Sequence, residues 1–334
     1  MSKAAHHQGL GHRLRSPSTL LLIGLNLFIY FLMARWVSEN IHPATLADYC
    51  SRIPVWALLG SLAFNLLALA LYGARMALLL NRDFFTAFSI INIGYALNTL
   101  LPLRIGEGIK LYLGRRLFAV PLTGIFAASV AEKLFDLVKI LLLGAVTFGF
   151  ASGDYIQVTT LAFIGVFVFA AAGSVVIFRR HIVRIVKLLP RGGRLRRVSI
   201  ELHKHAGSYP MLRILVVTIC IWFLNIALVF FTFNTYLPGL HVSILEAIVL
   251  LLIIALAIAI PSAPAGIGFF EAGIVAYLTQ RSGVGADAAL AAASVFHIVI
   301  TLPQVLMTAW LMWRQRALAL KEKLEAASPS PGGS

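Results

Sequence analysis

The chain has 334 residues, 60% of them apolar and 12% charged, with a mean hydropathy of +0.89 and a formal net charge of +15. Several apolar runs reach the roughly 20 residues that a helix needs to cross a bilayer, which excludes a soluble globular domain and predicts a polytopic membrane protein. The basic residues gather in loops and tails between apolar runs, the pattern of cytoplasmic loops beside anionic lipid headgroups rather than of a nucleic-acid binder.

Residues 1–17 read as a basic cytoplasmic tail in which His6, His7 and His12 find no further ligands for a metal site. The flank Lys3, Arg13 and Arg15 then precedes an apolar run, 18–37, that is too long for a signal peptide and lacks a small-x-small cleavage site. It is expected to stay as the first span. A loop of mixed charge follows (Arg35, Glu39, Asp48, Arg52), then a second span over about 53–74, closed by Arg75 and Arg82. Cys50 and Cys220 set no disulfide framework, Cys220 lying within an apolar run.

The apolar run 84–103 cannot be a plain span without placing Arg104, Lys110, Arg115 and Arg116 outside, against the cytoplasmic bias of basic loops. A re-entrant hairpin removes the conflict. It descends over 84–101, turns at Leu101-Pro102-Leu103-Arg104 and returns over 104–117. Pro102, Gly106 and Gly108 suit a helix broken within the membrane, whose freed backbone groups must meet something polar. Beside them Arg104, Glu107 and Lys110, spaced by three, share one helical face. Asn98 precedes them. Charges at this depth cost roughly 2.5–3.5 kcal/mol each on insertion scales and face a cavity or a partner.

The next span, 122–150, carries Glu132, Lys133, Asp136 and Lys139, of which Glu132, Asp136 and Lys139 form one stripe at i, i+4 and i+7. At about 1.5 Å per residue that stripe reaches the bilayer midplane. The loop at Asp154 has no Lys or Arg and is expected outside. A span over 157–178 leads to the most basic loop, 179–213, with ten Lys or Arg against Glu201 alone, predicted to lie on anionic lipid at the cytoplasmic side. His203 and His205 stand on different sides of any helix and make no metal pair.

A span over 211–237 ends at Pro238-Gly239. The run 242–260 then meets Pro261, Pro264, Gly266 and Gly268, with Glu271 opening a helix to Gln280. The last span, 288–313, ends in Arg314, Arg316, Lys321 and Lys323, so its end and the tail 316–334 are expected in the cytoplasm. A shift of 165 residues puts Arg116 on Arg281 and Ala127-Ala-Ser-Val130 on Ala292-Ala-Ser-Val295, with Glu107 and Glu271 one residue apart. The expected fold is one all-α domain over 18–315. It has six full spans and two Pro/Gly-broken re-entrant hairpins, arranged as an inverted repeat with halves over about 53–150 and 211–313. Such folds bind substrate at the midplane where the broken helices meet.

At that place Gly266 and Gly268 would admit an anionic headgroup to the N–H groups of a helix N-terminus. Arg104 and Lys110 would donate charge-assisted hydrogen bonds to phosphate oxygens. Glu107, Glu132 and Asp136 would hold those cations, receive an amine or carry protons. The plainer reading is that Arg104–Glu107, and Glu132 with Lys133 or Lys139, only lock helices together. No nucleophile–base pair, metal-ligand spacing or phosphate-loop motif appears, so no metal, cofactor or enzyme activity is expected. Two alternatives stand beside lipid translocation. One is an accessory subunit that needs a glycosyltransferase or other lipid-biosynthetic enzyme as partner. The other is a membrane-embedded head-group transferase with Glu107 or Asp136 as base.

Asn98-x-x-x-Pro102-x-Arg104-x-Gly106-Glu107, Glu132-x-x-x-Asp136 and Pro264-x-Gly266-x-Gly268-x-x-Glu271 together resemble the flippase-like membrane domain of the lysylphosphatidylglycerol synthase transmembrane-region family. The resemblance runs from about 18 to 315. It implies lipid translocation between leaflets of a bacterial inner membrane or an archaeal membrane, with a phospholipid, polyprenyl glycolipid or hopanoid as cargo. About twenty residues follow the last span, where full-length synthases carry a soluble aminoacyl-transfer domain. The chain departs from the family's pattern in placing Lys110 and Lys133 where arginine is common, Ala265 where glycine is common, and Phe296-His297 in place of Tyr-Arg. His297 thus joins the expected headgroup path with a charge that depends on protonation.

Overall fold

The computed structural model describes residues 43–101, 106–151, 210–237, 239–259 and 266–327, together with Phe31 and Arg35. Side chains at 43, 45, 46, 148–151 and 316–327 are not part of that description. The first expected span, the span over 157–178, most of the loop 179–213, and Pro102, Arg104, Pro261, Pro264 and Ala265 lie outside it.

Every described element is helical: α1 (Pro43–Arg52), α2 (Val55–Leu80), α3 (Phe84–Leu100), α4 (Gly106–Phe118), α5 (Leu122–Ala151), α6 (Met211–Tyr236), α7 (Ile244–Ala259), α8 (Phe269–Ser282) and α9 (Ala286–Ala327). The loop expected before the second span instead contains α1, whose Asp48 and Arg52 pair at 2.5 Å across one turn. Among the described residues, α2, α6 and the stretch Ala286–Gln315 of α9 are long and apolar enough to cross a membrane. At 1.5 Å per residue the 26 residues of α2 and of α6 reach about 39 Å. Their large apolar side chains, such as Leu59, Leu67, Leu212 and Phe223, point outward, as a lipid solvent allows. α5 has the length, 30 residues, but carries four charges within the span. By contrast α3, α4, α7 and α8 are 17, 13, 16 and 14 residues long, about 20–26 Å each, short of a hydrocarbon core of roughly 30 Å.

The short helices pack in pairs, α3 on α4 and α7 on α8. In the first half α2 lies against α3 and α5, and α4 against α5; in the second, α6 lies against α7 and α9, and α8 against α9. Helices α2–α5 and α6–α9 therefore share one order of packing, a long helix, two short ones and a long one. They meet through α2 on α6, α3 on α9 and α5 on α7, contacts that exchange with one another when the halves are swapped, and also through α2 on α9, whose counterpart α6 on α5 is not formed to the same extent.

Local chemistry sets the corners. The Asp83 carboxylate caps α3 by accepting from the Thr86 N–H at 2.9 Å. Ser243 and Glu246 form a reciprocal capping box at the start of α7. Upstream of it the Asn234 side chain clasps both backbone groups of Val242. Pro303 inside α9 has no N–H for the Val299 carbonyl four residues back. That carbonyl accepts instead from Asn65 Nδ2 of α2 at 3.0 Å, so a polar side chain in the middle of a span repairs the break in another. Two apolar cores result. The larger joins Phe233, Phe270, Phe296, Leu250 and Ile274 of the second half, and the smaller joins Met76, Leu79, Ile90, Ile91 and Ile125 of the first.

Candidate functional site

The first polar cluster forms where α3, α4 and α5 converge on α2. Gly94 lets the stem of Lys110 lie across α3, for a Cβ there would stand 2.6 Å from Lys110 Cδ. Gly106 admits the start of α4 to the end of α3, since its Cβ would stand 2.5 Å from the Asn98 backbone nitrogen. Close approach, rather than turn conformation, is what these two glycines supply. Lys110 is thereby fully buried, its Nζ 2.6 Å from Glu107 Oε2 and 3.7 Å from Glu132 Oε2. The short contact lies off the hydrogen-bond directions and acts as an ion pair. Lys133 Nζ spans the same two acids, 3.3 Å from Glu107 Oε1 and 3.2 Å from Glu132 Oε1. Asn98 Nδ2 donates to Glu107 Oε1 at 3.3 Å, and the Tyr95 hydroxyl donates to Glu132 Oε1 at 2.8 Å.

One helical turn further along α5, Asp136 Oδ1 accepts from both terminal nitrogens of Arg75 at 3.2 Å. Arg75 is fully buried, its guanidinium 5.3 Å above the Tyr72 ring. The Tyr72 hydroxyl accepts from Asn225 of α6, which ties the cluster to the second half. The cluster is graded in access. Lys110 and Glu132 are sealed, whereas Lys133 and Glu107 keep 48% and 31% of their side-chain exposure and form its open rim.

The second cluster is smaller. Gly268, at a φ of 92° that favours glycine, caps α8, and its N–H donates to Glu271 Oε2 at 2.6 Å. The other oxygen, Oε1, lies 2.6 Å from His297 Nδ1 of α9. With the carboxylate ionised, Nδ1 is the donor. The imidazole stacks on Phe270 at 4.2 Å between ring centres. The 165-residue shift that aligns the halves puts His297 on Glu132. The hairpin glutamates differ in their partners on the following helix, Glu271 meeting His297 directly and Glu107 meeting Lys133, the residue next to Glu132.

A family model described as the lysylphosphatidylglycerol synthase TM region matches residues 21–307, so the match spans both clusters. The chain belongs to that family. No curated protein matches it. The lysylphosphatidylglycerol synthase transmembrane-region family is a membrane domain associated with lipid-related functions, and the all-helical architecture with its apolar spans accords with membership.

Of the residues singled out from sequence, Asn98, Glu107, Lys110, Glu132 and Asp136 come together in the first cluster, and Gly268, Glu271 and His297 in the second. Gly266 stands two residues before Gly268 at a φ of 72° and takes no part in the ion pairs. Arg104 lies outside the described residues, and the partners of Glu107 among those described are Lys110, Lys133 and Asn98. The Gly268 N–H, expected to be open to an anion, is already satisfied by Glu271. Sequence reading took Arg75 as the flank that closes a span at 74. The helix continues to Leu80 and buries it. The apolar run Met76-Ala-Leu-Leu-Leu80 was the signal that the span had not ended. Tyr72, Tyr95 and Asn65 were missed with no comparable signal, since nothing in the sequence marks a span tyrosine or asparagine as partnered.

Proposed function

We propose that the chain moves a phosphate-bearing or glycosylated lipid between the leaflets of a bacterial inner membrane, the headgroup passing the two polar clusters while the acyl chains stay in lipid. The observation that carries this reading is the open rim of the first cluster. A helix lock has no need of exposed ions, yet Lys133 and Glu107 present a cation and an anion beside the sealed Lys110. The Lys133 ammonium could take a phosphate oxygen while Glu107 receives a hydroxyl or amine of the same headgroup. The repeated order of packing fits two related halves, and these are read as inserted with opposite orientation, α4 and α8 entering from opposite faces.

The test is reconstitution of the full chain in liposomes with a fluorescent phosphatidylglycerol, followed by a membrane-impermeant reductant. Bleaching beyond the outer-leaflet share seen in empty liposomes is the expected result. Bleaching equal to that of empty liposomes refutes translocation of this lipid class. Recovery of a chemically altered headgroup from the same vesicles would favour a transferase.

A further inference from the structure

Lys139 of α5 is 7% exposed, and among the described residues it makes no hydrogen bond or ion pair. Its neighbours along the helix are committed elsewhere. Asp136 holds Arg75, and Glu132 holds Lys133 and Tyr95 with Lys110 close by. The first half therefore sets four described intramembrane cations, Arg75, Lys110, Lys133 and Lys139, against three carboxylates, Glu107, Glu132 and Asp136. Among the described residues one positive charge is left over, and Lys139 is the cation for which they supply no partner.

Its place on the helix is also defined. Asp136, three residues before, turns toward α2, and Leu143, four residues after, packs into the second half's apolar core. Lys139 thus lies on the inward face of α5, between the charged cluster of one half and the core of the other. An ammonium held at membrane depth on so little exposed a side chain is costly unless an anion meets it. The unpaired charge matches one monoanionic phosphate. From Lys133 to Lys139 the rise along α5 is about 9 Å, with a turn of about 120° round the helix axis.

We propose that Lys139 is a second phosphate-binding station, receiving the headgroup after it leaves Lys133. This rests on the translocation reading for its role in transport, but the binding site itself does not. The experiment compares the wild-type chain with Lys139→Met and Lys139→Arg, purified whole in zwitterionic detergent. Each is titrated with short-chain phosphatidylglycerol and, separately, with inorganic phosphate, and binding is read from the rise in unfolding temperature. Lys139→Met removes a buried charge and is expected to fold at least as well as wild type, while the half-saturating phosphatidylglycerol concentration rises roughly tenfold. Lys139→Arg keeps the charge and should bind within about threefold of wild type. A response to inorganic phosphate with the same dependence on residue 139 keeps the site and assigns it to a free anion. Equal phosphatidylglycerol affinity in wild type and Lys139→Met overturns the proposal, as does a wild type that binds neither probe. If wild type binds through Lys139 yet moves no lipid in liposomes, translocation fails and the site stands.

Discussion

The Arg75–Asp136 pair offers a quantitative test of which charges hold the helices and which serve the path. At 3.2 Å and an effective dielectric of about 20, the two charges attract by about 5 kcal/mol. Removing one partner of a buried pair typically costs about 3–5 kcal/mol, because the other is left as an orphan. The two orphans differ here. Arg75→Met strands Asp136, which keeps 24% of its side-chain exposure and is screened, so the lower figure of about 3 kcal/mol applies. Asp136→Leu strands a guanidinium with no exposure at all, and the loss should approach about 5 kcal/mol, relieved in part by the Tyr72 ring. Arg75→Met/Asp136→Leu leaves no orphan and should recover to within about 1–2 kcal/mol of wild type. The assay is unfolding in detergent at a fixed scan rate, beside liposome translocation for the same three variants. As a helix lock, the pair should regain both stability and transport in the double mutant. A double mutant no more stable than Asp136→Leu, or an Arg75→Met chain less stable than Asp136→Leu, would refute the reasoning.

Asn65→Leu should cost about 1–3 kcal/mol by leaving the Val299 carbonyl unpaired, and little in a Pro303→Ala background where α9 regains its own hydrogen bond; equal costs in both backgrounds would disprove the repair. Gly106→Ala sets a Cβ 2.5 Å from a backbone nitrogen that cannot swing aside, so it should destabilise by about 1–3 kcal/mol in the same unfolding assay. A cysteine at Arg115 should react with an impermeant thiol reagent from the cytoplasmic side and one at Asp287 from the outside; labelling of both from one side would end the inverted arrangement.

How much of this was legible in the sequence depends on the range of the forces involved. Element limits were readable because apolar runs and Pro/Gly breaks are local. The hairpin limbs expected over 84–101 and 104–117 are α3, Phe84–Leu100, and α4, Gly106–Phe118, and the span over 122–150 is α5, Leu122–Ala151. Lys110 with Glu107 was readable too, being one turn apart on a helix. α1 was not, because its ten residues have the average polarity of a loop and are too few for their one apolar face to stand out as a periodic run. Partner choice failed furthest from home. Arg75 and Asp136 are separated by 61 residues, and His297 and Glu271 by 26. A stripe of charges on one helix shows that partners are needed, but only packing decides whether each partner comes from the next turn, from another span or from outside the chain. Glu132 and Lys139, seven residues apart on one face, read as equivalent members of a lock. Folding gives the first Lys133, Tyr95 and a nearby Lys110, and leaves the second with none among the described residues. What separates them is that Tyr95 of α3 and Lys110 of α4 close over Glu132, while one turn beyond Lys139 Leu143 already joins the apolar core with Leu250, Leu251 and Ile254 of α7.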